Sequence, residues 1–286
     1  MNFTRHAIRS IFGRSPAGAV LALALYVVLA VATIWYSETS RLEYDREHVE
    51  SLAEERAHAI QSQIDNALSA AHAMATLVRL GKGEVPEFES MTAVLQSFYP
   101  GISALQLAPG GVIQRIAPLA GNEKALGHNL LADPERDKEA ILARDTGKLT
   151  LAGPFPLVQG GLGAAGRLPV YLNDENGNAR FWGFVIVLIR FPDALKPANL
   201  SMLTESGYNY ELWRIHPDTG KKHVIASSSG APLIQPVAHT LQVPNVTWTL
   251  SVAPAKGWVD YSSLAFKSGL ALFILMLLVA NWRRSE

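Results

Sequence analysis

The sequence predicts an α+β fold: a long N-terminal stalk helix followed by two successive mixed units, flanked by two transmembrane helices. Three observations predict it. Two apolar stretches bracket the chain, a heptad-spaced run follows the first, and a helix-then-strands pattern occurs twice after that.

Ala17–Tyr36 carries no charged residue and is long enough for a helix to cross a hydrocarbon core of about 30 Å. Leu264–Trp282 is a second such stretch, broken only by Lys267 near its start, where a long side chain reaches the headgroups. Arg5, Arg9 and Arg14 precede the first span, and Arg283 and Arg284 follow the second. Basic residues close to spans favour the cytoplasmic side. Both termini therefore read as cytoplasmic, and residues 37–263 as periplasmic or extracellular. Ala30-Val31-Ala32 offers an alternative, a processing site after a signal sequence. Against cleavage, apolar sequence continues through Ile34-Trp35-Tyr36 into a helical pattern.

After the first span, Ala53, Ala57, Ile60, Ile64, Ala67, Ala71, Met74 and Val78 are spaced alternately four and three, a heptad seam. Gly81 and Gly83 end it. Two readings stay open: a dimer stalk that transmits motion, or a helix packed on its own globular domain. In the first span, Gly18 and Ala22 have small-xxx-small spacing that suits helix pairing.

Ile102–Ala108 and Val112–Leu119 alternate as strands around Pro109-Gly110-Gly111. Asp133-Pro134 reads as the N-cap and first turn of a helix running to about Asp145, with Gly147 beyond it. Strands follow at Leu149–Val158, Arg167–Leu172 and Ala179–Arg190. A second helix (Asp193–Leu203) precedes a hairpin, Tyr208–His216 and Lys222–Ser227, and two more strands, Val237–Val243 and Val246–Ala253. Trp258 and Tyr261 stand where an interfacial aromatic anchor belongs. The repeated order, helix then meander, predicts tandem PAS-like units.

Composition bounds the chemistry. Formal charge is zero over 286 residues, so no basic field points to nucleic acid. There is no cysteine, so the exported part folds without disulfides and thiol catalysis is excluded. The eight histidines are scattered in sequence and form no motif for a metal or other cofactor. Residues 173–178 imitate a calcium loop with glycine and glutamate misplaced, and read as a turn. Gly160–Gly166 lacks the Gly-Lys-Ser/Thr ending of a phosphate loop and reads as a flexible hairpin at a pocket mouth. No Gly-x-Ser-x-Gly elbow is present. The chain is expected to bind rather than catalyse. The rivals are an anchored hydrolase, which needs a convergent nucleophile or metal, and a structural scaffold, which needs no pocket.

Three runs occur in one order and spacing: Ala143-Arg144-Asp145-Thr146-Gly147-Lys148, Pro154-Phe155-Pro156-Leu157 and Pro169-Val170-Tyr171. With the flanking sequence of residues 127–190, this resembles the CHASE domain, the extracellular sensor of plant cytokinin receptors and of many bacterial histidine kinases and diguanylate cyclases. The resemblance implies a stalk helix, two PAS-like units and a small-molecule ligand in the membrane-distal one. Together with the spans, their basic flanks and the seam, it leads to the expectation of a two-pass receptor of the bacterial inner membrane, a homodimer through stalk and spans, and a cytoplasmic kinase or cyclase output lying outside this sequence. The expected division is a cytoplasmic segment 1–16, span 17–36, stalk 37–80, distal ligand-binding unit 81–190, proximal unit 191–263, span 264–282 and cytoplasmic tail 283–286.

The resemblance also places a pocket. The position that supplies a carboxylate in cytokinin receptors falls on Arg136, a backbone contact on Val158, a pocket threonine on Arg167 and a lining aromatic on Phe181. A guanidinium only donates and cannot accept a hydrogen bond from an adenine amino group. Guanidinium forks bind carboxylate or phosphate in two-pronged geometry. The expected ligand is a small anion held between Arg136, in a first helical turn, and Arg167, on a strand, with Ala140 and Ala143 leaving space. Pairing of each arginine with a nearby carboxylate such as Glu135, Asp137 or Glu139 is the alternative.

Overall fold

The computed structural model describes residues 16–133, 137–157, 160–217 and 219–284. The chain divides into two compact units, one formed by the described residues up to Val49 with those from Pro254 onward, the other by Glu50–Ala253. One helix, α1 (Pro16–Leu80), runs through both. It stops where Gly81 and Gly83 were expected to end it, with Gly81 and Gly83 amides closing on the carbonyls of Leu77 and Val78.

In the first unit, α1 is joined by the helix that closes the chain, called α5 below (Tyr261–Arg283). Both are long and apolar enough to cross a membrane. Asp260 caps α5 by accepting from the amides of Ser262 and Ser263. Tyr26 donates its hydroxyl to the carbonyl of Ala271 at 2.9 Å. Lys267 Nζ reaches Glu38 at 2.7 Å and Ser37 at 2.8 Å. Leu21, Leu25, Phe273 and Met276 are exposed. Helices that satisfy their own backbone groups while showing apolar side chains outward suit a lipid environment.

The second unit contains two antiparallel sheets. The first has five strands, β1 (Ile102–Pro109), β2 (Arg115–Ala117), β3 (Thr150–Pro156), β4 (Leu162–Asn173) and β5 (Ala179–Phe191), in the order β2-β1-β5-β4-β3. The second has β6 (Tyr208–Ile215), β7 (Lys222–Ser227), β8 (Val237–Val243) and β9 (Val246–Pro254), in the order β7-β6-β9-β8. Both sheets place their first and last strands side by side with hairpins outside. Leu151 N donates to the Asn245 side chain at 2.5 Å, tying β3 to the β8–β9 turn.

One face of the five-stranded sheet packs on α1. Ala53, Ala57, Ile60, Ile64, Ala67, Ala71, Met74 and Val78 are all buried within this one chain. The seam is therefore occupied by the protein's own domain, which corrects its reading as the contact between two stalks. Gly166 makes the approach close: a Cβ there would lie 2.1 Å from Leu68 Cδ2.

The other face carries α3 (Lys138–Thr146), with α2 (Phe88–Phe98) beside β1 and β2. Three expectations shift. The helix expected from Asp133 begins at Lys138 with Asp137 at the N-cap position; the Asp133 carbonyl accepts the Asp137 amide at 2.8 Å, and the Asp133 amide donates to the Asp137 carboxylate at 3.3 Å. Leu162–Gly166, expected in a flexible hairpin, is regular strand paired to β5 from Leu162↔Phe191 to Gly166↔Val187. Small residues there fit the close helix rather than a mobile loop. The helix expected over Asp193–Leu203 is two pieces, a 3-10 turn (Asp193–Ala198) and α4 (Ser201–Glu205). Pro197 lies inside the first piece and has no N–H to continue an α-helical ladder.

Candidate functional site

Adjacent residues of a strand point to opposite faces. Gly166 faces α1, so its neighbour Arg167 enters the other face. There Arg167 stands opposite Ile186, Ile186 opposite Gln106, and Thr150 flanks Arg167 from β3. This is one lateral row with three polar members, Gln106, Arg167 and Thr150, all buried. The next row is small where it can be: Ala104, Leu188, Ala165 and Ala152. Thr150 Oγ1 donates to the carbonyl of Glu139 at 2.9 Å, which pins α3 over the sheet.

The small side chains leave a cavity of about 410 Å³ above Arg167. Gln106, Ile186, Leu188 and Ala165 form its sheet wall, and His128, Asp137 and Glu139 come from loop and helix. The β3 rim is irregular. The register slips between Ala152 and Phe155, and Gly153 has φ +103, where a Cβ would sit 2.8 Å from the Gly163 carbonyl. This bulge lets the consecutive residues Gly153–Leu157 line the cavity, which a regular strand could not do.

The remaining wall belongs to the second sheet. Arg214 and His216 stand two apart, and His223 is the cross-strand partner of Arg214. Arg214 is 5% exposed and Arg167 7%. Burial first, then the charges of Arg214 and His216, holds the His223 imidazole below its ordinary value. Its Nδ1 is buried without a hydrogen-bond partner among the described groups. The His216 and His223 rings meet edge-on at 6.2 Å. Two guanidiniums, three imidazoles and the Gln106 amide thus offer donors to one space, and Asp137 and Glu139 offer acceptors. Such a space can hold an anionic group by several charge-assisted hydrogen bonds.

The four expected ligand residues fare differently. Arg167 lines the cavity. Arg136 and Val158 lie outside the described residues. Phe181 is not among the lining residues; it meets Tyr171 and Phe184 edge-on, further along β5, and packs against the apolar cluster beside the sheet. Ala140 and Ala143, expected to leave room for a ligand, are fully buried in that same cluster. Arg214, His216 and His223 were not foreseen. Two of the three motif runs serve the scaffold, since Gly147 closes α3 in a left-handed conformation and Tyr171 donates its hydroxyl to the carbonyl of Arg144, whereas Pro154–Leu157 lines the cavity.

The CHASE domain family model matches residues 53–222. No curated protein is significantly similar to the chain. An extracellular ligand binding receptor from Desulfohalobium retbaense DSM5692 is similar in structure, with 15% identity, a TM-score of 0.56, and coverage of 72% of this chain and 40% of its own. The chain thus spans less than half of that protein. The sensory domain of the Campylobacter jejuni chemoreceptor Tlp3 is similar at 10% identity and a TM-score of 0.52, covering 77% of this chain and 98% of its own. At these identities the two likenesses speak for the fold.

Proposed function

The chain belongs to the CHASE-domain family, and we propose that it is the ligand-sensing part of a two-pass receptor whose cavity takes a small molecule bearing an anionic group. The observation that carries this is the convergence of Arg167 from one sheet and Arg214 from the other on a single cavity. An anion bridging them ties the two sheets together. The buried Nδ1 of His223 supplies a further contact that no described protein group takes.

In this reading both sheets are PAS-like units in tandem, residues 37–263 lie outside a bacterial inner membrane, and α1 and α5 carry the signal to a cytoplasmic kinase or cyclase. The ligand acts by binding one arrangement of the two sheets better than another, the only way binding can shift such an equilibrium. Since the heptad seam is buried, pairing of receptor copies falls to the outer surfaces of α1 and the spans. Titration calorimetry of the full chain in detergent, against a panel of small carboxylates and phosphates, tests the ligand class. One class should bind the wild type and fail to bind Arg167→Ala. Silence across the panel, or equal binding by Arg167→Ala, overturns the reading.

A further inference from the structure

Far from the cavity in residue membership, a second group of side chains converges. Glu54 and His58 lie one turn apart on α1, and His239 lies on β8. One ligand atom from each falls within 4.8 Å of the other two, the one such cluster of three among the described residues. The His58 and His239 rings are 6.0 Å apart and tilted by 47°. His58 Nε2 is 3.9 Å from Glu54 Oε1, too far for a hydrogen bond. The two imidazoles and the carboxylate converge without being bonded to one another.

The framework beneath them is fixed. β8 is an edge strand, and three residues further along both elements Gln61 donates its side-chain amide to the carbonyl of Gln242. Gln61 is itself held by Asp65 at 2.9 Å. Helix and strand edge are therefore joined one turn from the cluster, which holds His58 and His239 in register. Ligand atoms around a tetrahedral zinc, at bonds of about 2.0–2.1 Å, sit roughly 3.4 Å apart. Closing the cluster from its present spread requires a contraction on the order of 1 Å, within reach of the side-chain torsions of the exposed Glu54 and His58 about the half-buried His239.

We propose that Glu54, His58 and His239 form a binding site for a late first-row divalent cation such as Zn²⁺, with the remaining position open to water. Two neutral imidazoles and one carboxylate are the borderline donor set that prefers Zn²⁺, Ni²⁺ or Cu²⁺ over Mg²⁺ or Ca²⁺. Glu54 and His58 at i and i+4 present two ligands on one helix face. His239 supplies the third from another element, so the ion cross-links α1 to the edge of the second sheet. A cation that binds only this joined arrangement stabilises it by mass action.

The test uses the metal-free full chain in detergent, titrated with Zn²⁺ against a chromophoric chelator, with Mg²⁺ as control. The expected result is one saturable Zn²⁺ site per chain and none for Mg²⁺. Loss of even an outer-shell partner weakens metal sites about 10–100-fold, so His58→Ala and His239→Ala should each weaken binding by roughly 100-fold or more. His72→Ala, an exposed histidine elsewhere on α1, should leave it unchanged. Absence of saturable binding, one ion per two chains, or equal affinity in all three variants overturns the proposal. Circular dichroism of each variant checks that the fold is kept; His58 and His72 are exposed and His239 is half-buried.

Discussion

Leu68 occupies the space that Gly166 leaves by having no side chain, at 2.1 Å from where a Cβ would stand. That contact sets the helix on the sheet and, through strand alternation, sends Arg167 to the opposite face. Gly166→Ala forces Leu68, itself buried, to move. Overpacking of this kind costs about 1–3 kcal/mol, and thermal unfolding of the full chain should fall by roughly 3–10 °C.

The heptad seam makes a sharper prediction. Ile64 is buried within the chain, so Ile64→Ala should lower stability by about 2–5 kcal/mol at every protein concentration. A seam formed between two chains would instead give a loss that is small at low concentration and grows as concentration rises. Denaturant melts over a wide concentration range separate the two.

His223 gives the unliganded cavity a pH dependence. Its folded value is held below the ordinary 6.5, by burial first and then by Arg214 and His216. Protons therefore bind the unfolded chain more readily. The contribution is present above 6.5 and is lost as pH falls through the lowered folded value. Urea melts between pH 5 and 7 should show wild-type stability declining with acid and His223→Gln declining less.

Just beyond the apolar stretch of α1, Lys267 and then Arg41 hold the Glu38 carboxyl below its ordinary 4.5. The stabilisation this gives is present above 4.5 and lost as pH falls through the lower folded value. The difference in melting temperature between wild type and Glu38→Gln should therefore narrow on acidification in detergent.

Where the fold was legible, local chemistry decided it. Apolar length gave both long apolar helices, glycine ended α1, and the β6–β7 hairpin followed from the turn residues between its strands. The helix α2 was missed because its pattern misleads. Phe88 and Thr92 are buried while Met91, Val94 and Phe98 are exposed, so polarity does not mark its inner face. Pro197, plain in the sequence, divides the helix expected over Asp193–Leu203 into two pieces. The cavity was half legible. Arg167 was reached through resemblance, whereas Arg214 and His223 carry no local sign of a ligand. Their pairing across β6 and β7 follows from the hairpin; their arrival opposite Arg167 depends on how the two sheets pack, which no short stretch of sequence encodes. The cluster of Glu54, His58 and His239 was hidden likewise, since only the pair on α1 is close in sequence.

The central claim is that one anionic group is held by both sheets at once. A double-mutant cycle tests it most directly, using the best-binding anion with wild type, Arg167→Ala, Arg214→Ala and the double variant. Hydrogen bonds to charged groups contribute about 1.5–3 kcal/mol, so each single change should weaken binding by roughly 10–150-fold. The double variant should lose clearly less than the product of the two, because both guanidiniums grip one ligand. Losses that multiply independently, or an Arg214→Ala variant that binds like wild type, would contradict the account.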